Sequence, residues 1–246
     1  MADPIADIIN RSDTWRGMGS QDNVLALRTS ANSDWHGVDV LPTGFTTLDT
    51  PIALGGWPLR GGVEVLSEGK SAASMGIFLP TMVTLSEQRR WQAFIAAPHT
   101  PYAPLLAKHG VATEQILMVH PKDRDELLWA TEQALRSTTC SVVFSWLGAA
   151  DYRYAELRKL QLAAAENDTL AVIFRDISTA EQHTPFSLRL AVNSYNNLTI
   201  LKQRGGRPSG AIQLPDNDNL VDQLSPWNAV AEAIPTRTGR FLTPVA

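Results

Sequence analysis

The sequence of 246 residues contains a single cysteine, Cys140. One cysteine excludes an internal disulfide framework and a cysteine-based zinc site, and it suits a reducing compartment. Because Cys140 opens the apolar run CSVVFSW, the pattern favours a buried structural thiol over a nucleophile. The five histidines show no metal-ligand spacing and the motif G-x-S-x-G is absent, so neither a metal site nor a hydrolase elbow is predicted.

Long apolar runs and an excess of basic residues are also missing. No window reaches the roughly 18 apolar residues of a membrane span, and the opening MADPIADIINRSDTWRG lacks the basic and apolar regions of a signal peptide. We therefore expect a cytoplasmic protein. The 21 basic and 25 acidic residues give a formal net charge of -4, which argues against broad coating of nucleic acid but leaves room for local basic patches.

The sequence does contain an alternation of strand-like and helical patterns. Apolar runs predict strands at Gly62 to Leu66, Trp91 to Ala97, Ile116 to Val119, Ser141 to Trp146 and Leu170 to Phe174. Helical patterns lie between several of them. This order is typical of an α/β fold in which helices cover a largely parallel sheet.

Two helices and a hairpin complete the predicted core. In DRDELLWATEQALRS, Asp123 has the N-cap position and Glu126 follows three residues later, as in a capping box. A second helix is predicted from Tyr154 to Asn167. The turn-rich residues from Asn193 to Asn197 separate two strand-like segments and predict a closing hairpin, which would make the sheet mixed.

Composition divides the chain into an N-terminal extension (1–40) with a short helix at Pro4 to Asn10, a core (41–210) and a tail (211–246). The tail is rich in proline and polar residues, which indicates a segment that is disordered or becomes ordered on a partner. Trp227 is either an anchor in a partner groove or folds back on the domain. Apolar residues of the two termini are the candidates for partner contact: Ile5, Ile8, Ile9, Trp15 and Trp227.

The stretch EVLSEGKSAASMG contains Gly69-Lys70-Ser71, which looks like the end of the phosphate loop G-x-x-x-x-G-K-[ST]. The early glycine of that motif lets the backbone N–H groups cradle phosphate. In this register its position is occupied by Glu64. A chance tripeptide is therefore favoured over a working nucleotide site.

The order of motifs resembles the RecA recombinase core from about Leu41 to Gln203. TGFTTLDTPIALGGWPLRGGVEVLSEGKSAASMG, FIAAPHTPYAPLLAKHGV, QILMVHP and DELLWATEQALRSTTCSVVFSW carry the resemblance. It implies a RecA-like, P-loop-type α/β fold with a mixed, largely parallel sheet flanked by helices. It also implies a phosphate loop from Ser67 to Ser74.

That register removes the groups that hydrolyse ATP. Hydrolysis needs a cation on the phosphates and carboxylates that hold the metal and orient water. The resemblance thus implies a degenerate nucleotide site with no catalytic residue and no cofactor. An active ATPase that uses Lys70 remains a third hypothesis, after the two functions given below. The residues at the matching positions are Ser67, Ala72, Ala73 and Ser74 in the loop, and Pro98 and Ser145 at the two acidic positions.

A second resemblance, to the ImuA family, runs from Trp15 to Gly210. TWRG, LPTGFTTLD, LGGWP, PYAP, LWATEQALRS, LRKLQLAA and LKQRGGRPSG carry it. It implies a non-catalytic accessory role in SOS-induced translesion DNA synthesis and mutagenesis, through contacts with an ImuB-type polymerase-like protein and RecA, and indirectly with an error-prone replicative-type DNA polymerase. The alternative is a SulA-type inhibitor of cell division that binds FtsZ, although such proteins are shorter and lack the LKQRGGRPSG end.

Three basic residues, Lys202, Arg204 and Arg207, flank a Gly-Gly turn and are candidates for contact with a DNA phosphate backbone. A solvated hairpin end is the equal alternative. By the RecA resemblance, DNA loops should follow the strands that contain Ser145 and Phe174. The segments there, LGAADYRY and RDISTAEQHTPF, carry little basic charge, so we expect DNA contact to be weak or indirect.

Overall fold

The computed structural model describes residues 14–16, 40–68, 72–194 and 196–215. Its α-helices are α1 (Thr46–Asp49), α2 (Leu79–Ser86), α3 (Ala103–Lys108), α4 (Arg124–Arg136) and α5 (Tyr154–Glu166), and a 3₁₀ segment (Ala72–Phe78) precedes α2. Its strands are β1 (Thr14–Arg16), β2 (Val40–Leu41), β3 (Trp57–Pro58), β4 (Val63–Ser67), β5 (Trp91–Ile95), β6 (Ile116–Val119), β7 (Cys140–Gly148), β8 (Leu170–Asp176), β9 (Leu188–Ser194), β10 (Asn197–Gln203) and β11 (Ala211–Gln213).

Nine of the described strands form one mixed sheet in the order β1-β6-β5-β7-β8-β4-β9-β10-β11. The six central strands pair in parallel. The outer strands β1, β10 and β11 pair antiparallel with their neighbours. The predicted mixed and largely parallel sheet is confirmed, and β2 and β3 form a separate two-stranded ribbon.

The predicted elements form for the reasons that their patterns indicate. The five predicted strands are buried on both faces, as expected of parallel strands covered by helices. Asp123 accepts a hydrogen bond from the Glu126 backbone N–H at 2.8 Å, so the predicted N-cap of α4 is confirmed. The Glu126 carboxylate in turn accepts from the Lys122 N–H at 2.6 Å. The predicted closing hairpin is confirmed as β9 and β10.

Two hydrophobic cores lie on opposite faces of the sheet. The 3₁₀ segment, α2 and α3 cover one face, where Phe78 packs edge-on against Phe144 with ring centroids 5.6 Å apart. Helices α4 and α5 cover the other face over Val143 and Ile173. Cys140 is buried in this second core, as its apolar surroundings predict.

One part of the second face has no helix above it. The connection from β8 to β9 passes over β4 and contains one 3₁₀ turn, Ile177–Thr179, with irregular backbone to residue 187. Only its last part contributes a large apolar side chain, Phe186, to the second core. The strand residues beneath the rest of this loop are charged, and they are described below.

The sheet reaches into both predicted terminal segments. Strand β1 belongs to residues 1–40, and β11 begins at Ala211, directly after the predicted core. The predicted helix at Pro4 to Asn10 and the residue Trp227 lie outside the described residues. No helix in the described part of the chain is both long and apolar enough to cross a membrane.

Candidate functional site

The carboxyl ends of the parallel strands meet at one edge of the sheet, where α/β proteins usually bind their ligands. Strand β4 ends at Ser67, which is 5% exposed. The tripeptide around Lys70 lies outside the described residues, and the chain resumes with Ala72 and Ala73 at the start of the 3₁₀ segment. Ser74, the hydroxyl of the predicted phosphate loop, is 1% exposed.

The two positions predicted for acidic residues also lie at this edge. Pro98 is half-buried three residues after β5 ends. Ser145 is paired in register with Ile95, the last residue of β5, and is 0% exposed. Its hydroxyl lies 2.8 Å from the Thr131 hydroxyl of α4, which itself donates to the Leu127 carbonyl at 2.7 Å. Ser145 therefore donates to Thr131 and serves the packing of α4 on the sheet.

A buried ionic cluster lies beneath the loop that connects β8 to β9. Glu64 of β4 accepts hydrogen bonds from Arg189 Nε of β9 at 2.7 Å and from Arg175 Nη1 of β8 at 3.3 Å. The side chains of Glu64 and Arg175 are 0% exposed, and that of Arg189 is 6% exposed. We call these three residues the Glu64 cluster. It holds two guanidinium groups for one carboxylate.

The Glu64 cluster fixes two loops at the same time. Arg175 Nη2 donates to the Ala150 carbonyl at 3.3 Å and to Gln182 Oε1 at 2.7 Å. Arg189 Nη1 donates to the backbone carbonyls of Ala180 at 2.6 Å and Gln182 at 2.7 Å. Arg175 therefore ties residues 149–153, which follow β7, to the sheet, and both arginines tie residues 177–187, which follow β8.

A second polar group continues the first loop towards the helices. The Tyr152 ring lies under two cations, with Arg124 Cζ 4.6 Å and Arg175 Cζ 5.8 Å from its centroid. Burial raises the pKa of Tyr152, although both arginines act in the opposite direction. Arg124 donates to Glu156 at 2.7 Å, and this hydrogen bond, with smaller contributions from Arg153, lowers the pKa of Glu156 to about 2.

The structure separates the three residues predicted for DNA contact. Lys202 is exposed, but its Nζ donates to the carbonyls of Thr184 at 2.6 Å and Phe186 at 3.2 Å in the neighbouring loop. Burial, with a smaller contribution from Arg189, lowers its pKa. Arg204 and Arg207 lie exposed on the turn after β10.

Of the terminal residues predicted for partner contact, the structure describes only Trp15. Trp15 lies in β1, paired in register with Met118 of β6. The residues Ile5, Ile8, Ile9 and Trp227 lie outside the described residues. Among the described residues, no three His, Cys, Asp or Glu side chains are close enough together to hold a metal ion.

Sequence reasoning missed the Glu64 cluster. A signal for it exists in the strands themselves, because Glu64 and Arg189 each follow the first apolar residue of a strand and Arg175 follows the apolar run LAVIF. A charged residue in a strand that is covered on both faces has to be paired. The pattern gives no indication of which residue pairs with which, since the partners are 111 and 125 positions apart.

Comparisons with known proteins connect this chain to two groups. A family model described as cell division inhibitor SulA matches residues 63–171. The cell division inhibitor SulA of Edwardsiella piscicida is 36% identical over 91 residues, which are 37% of this chain and 54% of that protein. RecA of Bacillus subtilis is 27% identical over 106 residues, which are 43% of this chain and 30% of that protein. RecA of Kineococcus radiotolerans matches to the same extent.

A crystal structure of SulA from Pseudomonas aeruginosa aligns with this chain at 26% identity and a TM-score of 0.37. The alignment covers 46% of this chain and 97% of the SulA chain. The chain spans about half the length of the SulA from Edwardsiella and 30% of the RecA proteins that it matches. The matched SulA segment begins at β4 and ends in the second residue of β8, so it includes Glu64 and the carboxyl ends of β4, β5, β6 and β7 but neither Arg175 nor Arg189. The chain is therefore a protein related to SulA and to RecA.

Proposed function

We propose that this chain is a non-catalytic accessory protein of the SOS response, which acts in translesion DNA synthesis through contacts with RecA and an ImuB-type polymerase-like protein. Its relatedness to both SulA and RecA supports a role in that response. The resemblance to the ImuA family supports the role in mutagenesis, because it extends to Gly210 whereas the SulA match ends at residue 171.

The residues at the carboxyl edge support a role without ATP hydrolysis. Hydrolysis requires carboxylates that hold the metal and orient water. Ser145 is a buried hydroxyl bonded to Thr131, and Pro98 has no ionisable group. Ser74 is 1% exposed, and a metal ligand would have to face the phosphates.

The observation that carries the proposal is the Glu64 cluster. Hydrogen bonds from Arg175 and Arg189 hold parts of the loops 149–153 and 177–187 in place. A surface that is fixed before binding loses less conformational entropy when a partner docks. The two loops therefore suit a chain that works by protein contact.

Two assays with the purified full chain test this function. We expect no ATP turnover above background, with or without RecA and DNA, and no change in Lys70→Ala. Turnover that disappears in Lys70→Ala would show that the chain is an ATPase. We expect binding to RecA and to the ImuB-type protein by biolayer interferometry, and failure to bind either one would contradict the accessory role.

The N-terminal extension is the proposed contact with RecA. Because β1 pairs with β6, a deletion that tests this contact should end at residue 12 and leave Thr14–Arg16 in place. We expect this deletion, which removes Ile5, Ile8 and Ile9, to abolish RecA binding without a loss of thermal stability. Unchanged RecA binding would exclude the extension as the contact.

A second candidate is a SulA-type inhibitor of cell division that binds FtsZ. The SulA match over residues 63–171 favours it. Light scattering of FtsZ during GTP-driven polymerisation separates the two functions. Suppression of polymerisation at stoichiometric amounts of this chain would support the SulA-type function, whereas the accessory function predicts no change.

A further inference from the structure

The turn between β10 and β11, residues 204–210, has a backbone that is held at both ends. The Arg204 N–H donates to the Ser187 carbonyl at 2.8 Å. The Ser209 N–H donates to the Ile200 carbonyl at 3.0 Å, and the Ser209 hydroxyl accepts from the Ile200 N–H at 3.2 Å. These bonds fix where the turn leaves the sheet and where it returns.

Gln203 fixes the middle of the turn. Its side chain accepts from the Ala53 N–H at 2.6 Å and donates to the carbonyls of Pro51 at 3.1 Å and Arg207 at 2.6 Å. A Cβ at Gly206 would lie 2.8 Å from the Ala53 Cβ, so the close approach of the two segments requires glycine. The turn is therefore a rigid feature of the surface.

The turn presents two cations, Arg204 and Arg207, at the surface. The side chains of Arg204 and Arg207 are exposed, and neither forms an ion pair with another residue in the part of the chain that the structure describes. Between them, Gly205 has φ +79°, and an ideal Cβ there would meet nothing within 4 Å. Among the described residues, none covers the outer face of the turn at Gly205.

We propose that this turn, which we call the arginine turn (residues 204–210), binds the phosphate backbone of DNA through Arg204 and Arg207. A guanidinium group matches a phosphate bidentately. The rigid backbone reduces the ordering cost of binding. Lys202, the third basic residue of the predicted set, does not take part because its ammonium group is bonded to two loop carbonyls.

The composition of the arginine turn favours a phosphate backbone over an acidic segment of a protein. Protein interfaces bury apolar and aromatic side chains at their centre. The residues RGGRPSG provide no aromatic side chain and no aliphatic one apart from proline. Contacts with phosphate oxygens need only such cations and backbone N–H groups.

The arginine turn lies away from the edge of the sheet where the carboxyl ends of the parallel strands meet. Strand β10 runs antiparallel to β9 and hence to the parallel strands, so its carboxyl end lies at their amino ends. Each phosphate contact on single-stranded DNA contributes about −0.7 to the slope of log K against log salt. Two contacts therefore predict a slope of about −1.4, with weak binding because the chain carries a net charge of -4.

Fluorescence anisotropy of a labelled oligothymidylate, titrated with the full chain over a series of NaCl concentrations, tests the proposal. We expect Arg204→Ala and Arg207→Ala each to reduce the magnitude of the salt slope by about 0.7, and the double variant to lose most of the binding. Lys108→Ala with Lys159→Ala is the matched control. It removes the same charge from two other exposed positions and should bind as the wild type does.

Three results would overturn the proposal. The first is an absence of binding by the wild type at low salt, and the second is an unchanged salt slope in the arginine double variant. The third is that the chain binds polyglutamate but not the oligonucleotide, and that polyglutamate binding requires both arginines. This result would assign the turn to an acidic protein segment. A duplex of the same length distinguishes single-stranded from double-stranded DNA, and all of these results are independent of RecA binding.

Discussion

Replacing Glu64 by glutamine should cost more stability than any surface charge change in this protein. The carboxylate is 0% exposed and contacts Arg189 at 2.7 Å and Arg175 at 3.3 Å, and both guanidinium groups are buried. Breaking a buried ion pair from one side costs about 3–5 kcal/mol, because it leaves an uncompensated charge. Glutamine has nearly the same volume, so the loss reports charge and hydrogen bonding instead of a cavity. Its amide group turns a donor towards one of the two arginines.

Urea unfolding followed by tryptophan fluorescence measures this loss of unfolding free energy. In a thermal unfolding experiment, about 3–5 kcal/mol corresponds to a decrease of roughly 6–20 °C in Tm for a chain of this size. The control is Glu132→Gln, which removes a half-exposed pair with Arg136 at 3.1 Å and should cost less than about 1 kcal/mol. If Glu64→Gln costs no more than the control, the reasoning about the buried charges is wrong.

A triple variant separates charge balance from loop anchoring. Changing Glu64 to Leu, Arg175 to Met and Arg189 to Leu removes all three charges, and buried ion groups replaced in this way often lose no net stability. The loop 177–187 nevertheless loses the arginine donors to its carbonyls. We therefore expect recovery of the unfolding free energy together with new proteolytic cleavage inside 177–187. A triple variant as unstable as Glu64→Gln would mean that the donors matter more than charge balance.

Three further predictions concern single contacts. Gly44→Ala should destabilise the fold by at least about 1–3 kcal/mol in urea unfolding, because its Cβ would lie 2.3 Å from Pro80 Cβ at φ +88°. Arg124→Gln should return the pKa of Glu156 from about 2 towards 4.5 in a carbon-detected NMR titration. In the wild type the lowered pKa adds stability that is fully present above about pH 4.5 and is lost as the pH falls towards 2, so the variant should lose most of this contribution and its stability should depend less on pH over that range. Lys202→Met should lose about 1–3 kcal/mol in urea unfolding and leave the salt slope of DNA binding unchanged, since its Nζ donates to two buried carbonyls.

Much of the sheet is predictable because its strands are continuous apolar runs. Strands β4 to β8 are covered on both faces, so nearly every residue in them is apolar and each run is easy to recognise. The α4 N-cap is equally local, since Asp123 and Glu126 are three residues apart. Strands β1 and β11 have three residues each, and such segments have no periodicity that identifies them.

The functional features are less predictable because they depend on contacts between distant residues. Lys202 reads as a surface cation, yet the carbonyls that bind its Nζ come from the loop before β9. The anchoring of the arginine turn depends on Gln203, whose partners Pro51 and Ala53 lie about 150 residues earlier. Sequence spacing contains no information on such pairs, whereas it does identify the turn itself through Gly-Gly and its flanking arginines.

The loop 177–187 contacts both the Glu64 cluster and the arginine turn. Arg189 binds its first half at Ala180, and the Arg204 N–H binds its last residue, Ser187, at the start of the arginine turn. A helix in this place would satisfy its own backbone groups, but an irregular loop needs donors from elsewhere. The charges beneath the loop supply them. The irregular crossover over β4 thus accounts for the burial of the two arginines, and its last residue helps to fix the position of the arginine turn.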